Sequence, residues 1–161
     1  MSVSPVRRRL MLAIATSCGW MGALRATASR AANELTDGKL DPLSQRAAII
    51  TAGASIRTGR VSIDTPRLAD NGHSVPITVR VDCIMTAQEF VRRIVLISES
   101  NPRPMIETFH LNAKSGRAEI ATRIRLNKTQ RVMALAELSD GSFWADRAEV
   151  IVTESACLDA E

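Results

Sequence analysis

Residues 74–85 read SVPITVRVDCIM. Val75, Ile77, Val79, Val81, Cys83 and Met85 share one face of an extended chain. Strict alternation of this kind belongs to a β-strand with one face against a core. Pro76, which has no N–H to give to a ladder, places the run at a sheet edge or at the start of a strand.

The same pattern continues on both sides. RVSIDTP (60–66) alternates and stops at Pro66, and LADNGHS (68–74) carries the turn dipeptide Asn71-Gly72, expected to supply a positive φ. FVRRIVLISES (90–100) is closed by Asn101-Pro102-Arg103-Pro104, whose prolines force a turn. MIETFHL (105–111), RAEIATRIRL (117–126), QRVMALAEL (130–138) and FWADRAEVIVT (143–153) follow, joined through Lys114-Ser115-Gly116 and Ser139-Asp140-Gly141-Ser142. Roughly seven short strands in about one hundred residues imply an all-β fold, a two-sheet antiparallel β-sandwich, over residues 59–153. In QRVMALAEL, Ala134 and Ala136 fall on one face and Met133 and Leu135 on the other. Both faces of that strand are therefore expected to be covered, the second by a partner. Ahead of the sandwich, residues 29–58 read as a short helical N-terminal segment. Leu35, Leu40, Leu43, Ala47 and Ile50 recur at helical steps, and Asp41 and Pro42 suit a cap and a first turn.

Residues 1–28 have the layout of an export signal. Arg7, Arg8 and Arg9 precede an apolar run from Leu10 to Leu24, and Ala26-Thr27-Ala28 offers a small-x-small cleavage site. The arginines followed by Leu10 and Met11 suit the twin-arginine route, with an ordinary secretory signal as the alternative. Either route implies a periplasmic protein. The formal net charge of +4 belongs to this leader: Arg7, Arg8, Arg9 and Arg25 lie in it, leaving 17 basic residues against 17 acidic ones. A neutral chain with 3% aromatic residues has neither the field nor the stacking surface for nucleic acid.

Enzyme chemistry finds no support in the spacing of reactive residues. His73 and His110 stand far from any cysteine or carboxylate pattern that would hold a metal. No glycine-rich loop opens a helix and no serine sits at a nucleophile elbow. Cys18 lies in the leader and lacks a leucine three positions ahead, as a lipid-attachment cysteine would have. Two cysteines remain. Cys83 is in register with Val79 and Val81 and so is expected to point inward, whereas Cys157 lies past the last strand in the tail over 154–161. A tail cysteine is either half of a disulfide or a thiol offered to something outside.

Three stretches carry a resemblance: DNGHSVPITV (70–79), SNPRPMIETF (100–109) and ATRIRLNKTQRVMALAELSDGSFW (121–144), with a cysteine a few residues beyond the final strand. Together they resemble SoxY, the sulfur-carrier subunit of the periplasmic thiosulfate-oxidising system, from about Gly59 to Cys157. The resemblance implies an immunoglobulin-like sandwich paired with a SoxZ-like subunit as a heterodimer. It implies no cofactor and no catalytic centre, but sulfur intermediates held covalently on Cys157. Transient partners would be c-type cytochromes, a hydrolase and a sulfur dehydrogenase. The tail departs from the family pattern, in which glycines surround the cysteine. Here Ala156 and Leu158 flank it, and Glu154, Asp159 and Glu161 surround it with negative charge that disfavours the thiolate. The alternative reading is a non-carrier interaction module with a Cys83–Cys157 disulfide. N-terminal sequencing of the exported protein is expected to begin near Ser29; material beginning at Met1 would refute the leader.

Overall fold

In the computed structural model, which describes residues 41–154, one helix precedes nine strands. They are α1 (Pro42–Ile50), β1 (Ile56–Arg57), β2 (Val61–Asp64), β3 (Leu68–Asn71), β4 (Val75–Val81), β5 (Val91–Ser98), β6 (Met105–His110), β7 (Glu119–Ile124), β8 (Gln130–Leu138) and β9 (Phe143–Glu154). The leader expected over 1–28, the first part of the segment 29–58 and Cys157 lie outside the described residues.

The alternating stretch that defines the fold is the middle strand of a three-stranded sheet, β2-β4-β7, antiparallel throughout. Val75, Ile77, Val79 and Val81 are buried, and the residues between them are exposed or half-exposed. The ladder ends at Val81, earlier than the alternation suggests. Asp82 N–H still bonds the carbonyl of Arg60 in the same register, and beyond it Met85 takes a left-handed φ of 50°. The alternation of burial nonetheless persists: Cys83 packs half-buried against the rim of the core, Ile84 is exposed and Met85 is buried.

The facing sheet has the order β1-β9-β8-β5-β6, with β3 added beside the far end of β9. Its long strands are antiparallel, while β1 and β3 lie parallel to β9. The pair Ile56–Arg57 is a strand inside the stretch read as helical, and at two residues it is too short for periodicity to reveal. Arg57 and Arg60 lie over the Trp144 ring, 5.6 and 5.3 Å from its centre, and fix that end of β1 against β9. Gly116 and Gly141 have φ of 76° and 80° in the two turns expected from their sequences. Gly72 does not have the expected positive φ.

The sandwich interior is filled by Val75, Ile77 and Val79 from one sheet and Ile94, Leu96, Ala134, Ala136 and Val150 from the other. Small alanines on β8 let the sheets approach, and the larger residues around them fill the layer. The opposite face of β8 forms a second core. Met133 and Leu135, with Val95, Ile97 and Ala145, pack under Leu43 and Ala47 of α1. The covering that the sequence pattern assigned to a partner is thus supplied by the chain's own helix. Asp41 caps α1, accepting from the Leu43 and Ser44 N–H groups at 3.1 and 3.3 Å. Arg147 of β9 reaches the same cap, donating to Asp41 Oδ2 at 3.0 Å and to Ser44 Oγ at 2.7 Å. Arg46 donates to the carbonyls of Ser98 and Glu99 at the end of β5.

Leu43 is 0% exposed and Ile49, on the same helix, is 80% exposed. Leu43→Ala is expected to cost about 2–5 kcal/mol by leaving a cavity over the sheet. Ile49→Ala should stay within about 0.5 kcal/mol. Urea unfolding midpoints of the two variants check the docking of α1.

Candidate functional site

The one residue with a predicted covalent role, Cys157, is not among those described, but the place from which its segment departs is. Strand β9 leaves the ladder of β8 at Val150, its last partner there being Gln130. It then continues to Glu154 along β3, with Ile151 opposite Leu68 and Glu154 opposite Asn71. Backbone and threonine hydrogen bonds hold this extension. Ile151 N–H donates to the Arg67 carbonyl at 2.8 Å, and Gly72 N–H donates to the Glu154 carbonyl at 2.7 Å. Val152 N–H donates to Thr129 Oγ1 at 2.9 Å, and Thr153 Oγ1 donates to the Asp70 carbonyl at 2.6 Å. Gly72 is buried between this strand end and Leu126, whose N–H donates to the Gly72 carbonyl at 2.8 Å. The root of the tail is therefore part of the sheet. Cys157 stands three residues beyond Glu154, the last described residue, a span of at most about 10 Å of chain.

The loops under this exit are joined by buried amides. Gln130 is 4% exposed and Asn101 8%. Gln130 Nε2 donates to Asn101 Oδ1 at 2.7 Å and to Asn127 Oδ1 at 3.0 Å, and its Oε1 accepts from Ser100 N–H at 2.8 Å. Asn101 Nδ2 donates to the Arg125 carbonyl at 2.8 Å, and Asn127 Nδ2 to the Ser100 carbonyl at 2.9 Å. Each buried amide group is satisfied, and leaving one without its partner would cost about 1–3 kcal/mol. Asn71-Gly72, Ser100-Asn101 and Asn127 with Gln130 belong to the three stretches that carry the resemblance. Far apart in sequence, they meet at the end of the sandwich where β9 leaves.

An ion-pair group ties this end to α1. Arg131 donates to both carboxylate oxygens of Glu99, at 3.1 and 2.7 Å, and lies 3.9 Å from Asp41. Hydrogen bonds from Arg131 hold the Glu99 carboxyl below its ordinary range against the opposing effect of burial. At Asp41, burial pushes the carboxyl up, but hydrogen bonds from Ser44 and the charge of Arg147 outweigh it and the net shift is downward.

The other sequence candidates lie apart from the exit or are solvated. Cys83 is a free thiol, half-buried at the mouth of a shallow groove of about 200 Å³ lined by Arg80, Asp82, Arg117 and Glu119. The groove opens beside Gly116, in the turn before β7. His73 and His110 are both exposed. Among the described residues no group of three His, Cys, Asp or Glu side chains gathers as a metal site.

An all-β, immunoglobulin-like sandwich with one covering helix and a last strand drawn out beyond its ladder defines the class of protein. Its fold is shared by the sulfur carrier protein SoxY from Chlorobium limicola f thiosulfatophilum, with a TM-score of 0.57 and 23% identity over 69% of this chain and 91% of that one. Superoxide reductases share the fold more distantly. The neelaredoxin from Ignicoccus hospitalis gives a TM-score of 0.54 at 17% identity, covering 60% of this chain and 94% of that one. The superoxide reductase from Nanoarchaeum equitans gives 0.50 at 13% identity, covering 60% and 100%. No protein of curated function matches the chain at the sequence level. The family model for sulfur oxidation protein SoxY matches residues 46–157, and the chain belongs to the SoxY family.

A depressed carboxyl stabilises the folded state at pH values above its unfolded pKa, and that contribution is lost as pH falls through the folded value. Glu99 starts from an ordinary value of 4.5, so its share is present at neutral pH and fades below about pH 4.5. Thermal melts of Glu99→Gln should lie below wild type at pH 7 and converge with it as the pH is lowered from about 4.5 toward 2. A difference independent of pH would rule out the ion pair as its source.

Proposed function

We propose that this protein is a sulfur-compound carrier that holds thiosulfate-derived intermediates on Cys157 and presents them to other enzymes of a periplasmic sulfur-oxidising system. What carries the reading is that the SoxY family match extends to residue 157, the cysteine itself, while the sheet stops three residues earlier at Glu154. On this reading the thiol rides on a short arm whose root is the end of β9. A carrier group must enter sites on other proteins, which a side chain packed in a sandwich cannot do.

The chain supplies the thiol and the arm. The nucleophile is the thiolate. Joining it to the sulfane sulfur of a thiosulfate-like anion forms one S–S bond, releases the thiol proton and removes two electrons, which a c-type cytochrome partner accepts. Release of the terminal sulfonate as sulfate consumes water and belongs to a hydrolase partner. No step requires a cofactor bound to this chain. A SoxZ-like β-sandwich subunit is the expected stable partner, and the twin-arginine-like leader the route of export. The two open edges of the smaller sheet, β2 and β7, and the edge β6 of the larger one leave strand faces on which a second sandwich can settle.

Intact mass of the protein isolated from the periplasm, before and after a thiol reductant, tests the carrier role. A reducible mass increment of sulfur or thiosulfonate size, absent from Cys157→Ser, is expected. Cys157→Ser should melt within a few degrees of wild type, because an exposed tail change costs about 0.5 kcal/mol or less. Loss of about 2–5 kcal/mol with no increment would instead identify a structural disulfide and a non-carrier module.

A further inference from the structure

Among the described residues, most free strand edges of the sandwich are blunted. Strands β1 and β3 have two and four residues. Strand β2 has four, and its Ile63 N–H, which points away from β4, donates to Asp146 Oδ2 at 3.0 Å. On β6 the register shifts beside Ile97, and the outward N–H of Thr108 donates to Glu107 Oε1 at 3.1 Å. Short strands, bulges and side chains that occupy edge groups all hinder pairing between molecules.

Strand β7 has none of these devices. It runs six residues, Glu119–Ile124, in unbroken register with β4 and without a proline. Val81 N–H bonds the Ala118 carbonyl at 2.9 Å, so β4 bonds the even-numbered residues of β7, with Ile120, Thr122 and Ile124 opposite Val79, Ile77 and Val75. The N–H and C=O groups of Glu119, Ala121 and Arg123 point the other way, and no described residue bonds them. These three side chains are exposed, and Ala121 in the middle adds only a methyl. Ile120 and Thr122, on the core side, are half-buried, so the interior is incompletely closed along this edge.

Glu119 and Arg123 stand equally far on either side of Ala121. Two β7 strands set antiparallel, with Ala121 opposite Ala121, therefore put each Glu119 opposite an Arg123. Arg80 takes one oxygen of Glu119, and Ser74 one nitrogen of Arg123, which leaves the other oxygen and nitrogen for the partner. The register exchanges two backbone bonds at each of these outward residue pairs. It asks nothing of Arg125, whose carbonyl already accepts from Asn101 Nδ2 at 2.8 Å. We propose that β7 is an interaction edge for a second copy of this chain, joining the two smaller sheets into one antiparallel sheet about a two-fold axis at Ala121. Arg117 and the partner's Arg125, which this register brings toward each other, are exposed and lie beyond the strand ends, where they oppose the pairing. So short an edge belongs to the weak, transient class of interfaces. The pairing does not involve the tail cysteine and stands or falls apart from the carrier role.

Sedimentation equilibrium of the full chain in a thiol reductant, from about 1 μM to about 1 mM, reads the association without disulfide-linked dimers. A reversible monomer–dimer equilibrium is expected. Ala121→Pro removes the central N–H, which β4 does not use, and should abolish the dimer while the melting temperature stays within a few degrees. Glu119→Arg and Arg123→Glu should each weaken self-association by about tenfold or more, because each makes the pairs at both ends like-charged. Mixed in equal amounts, these two variants should associate about as tightly as wild type, since every arginine of one then meets a glutamate of the other. Damaged folding could not give that recovery. A chain that stays monomeric at about 1 mM would overturn the proposal, as would a dimer that survives Ala121→Pro or a mixture no tighter than its components. A monomeric wild type whose Ala121→Pro variant no longer retains a different sandwich subunit would overturn it equally, by assigning the edge to that subunit.

Discussion

The structure depends on the burial of one strand from both sides. Strand β8 is the middle of the larger sheet, bonded to β5 on one edge and β9 on the other. Its Val132, Ala134 and Ala136 face the smaller sheet, and its Met133 and Leu135 face α1. A strand with solvent on one face would tolerate a slip of register by two residues more readily than this one does. Here a slip in either direction would bring large side chains into the space of alanines or leave a void beneath Leu43. The register of β8 therefore fixes β5 and β9, and through them the edges on which the shorter strands settle.

From β8 the constraint passes to the exit of the chain. The pairing of β9 with β8 is uninterrupted from Phe143 to Val150. Beyond it, hydrogen bonds of a different kind take over: a threonine hydroxyl, a buried glycine N–H and a short parallel strand. Each is weaker than a run of ladder, but together they satisfy the backbone groups that a strand leaving its sheet would expose to competition from water. The amides of Gln130, Asn101 and Asn127 keep the loops below in place. The hydrogen-bonded backbone thus extends to Glu154.

The sandwich was legible because alternation is a strong signal over seven residues or more. Val75 to Val81 read correctly from period two alone, whereas β5, buried on both faces from Ile94 to Ser98, was marked by its apolar run and the prolines that close it. What was not legible has physical causes. Strand β1 has two residues and no periodicity to show. The alternation of Val81, Cys83 and Met85 reported which side chains turn inward, yet the ladder had already ended, because burial and hydrogen bonding are separate demands on the chain. The second face of β8 was recognised as covered, but sequence spacing does not say by what, and a nine-residue helix with two fully buried side chains proved sufficient. Gly72 read as a turn former. Its place is set instead by its N–H and carbonyl, which join Glu154 to Leu126, a role that exists only after the three segments have been brought together.

The two cysteines of the sandwich and its tail show why position and not residue type decides what a thiol can do. Cys83 rests against the core rim, and the backbone just ahead of it is engaged: Val81 N–H bonds the Ala118 carbonyl, and Asp82 N–H bonds the Arg60 carbonyl. An adduct there would have to occupy the narrow groove between Arg80 and Arg117, and another protein's active site would have to close over two strands to reach it. At Cys157 the neighbours in sequence set the electrostatics instead. Ala156 and Leu158 are bulkier than glycine, and the acids at 154, 159 and 161 oppose the thiolate. The opposing charge lies close by, on Arg123, Arg125 and Lys128, in segments that the sheet has already placed around the exit. The charge of the arm and the charge of its platform have to be considered as one system. Acids close in sequence to a thiol disfavour its thiolate, and cations near it favour it, so the ionisation of Cys157 depends on both sets of charges.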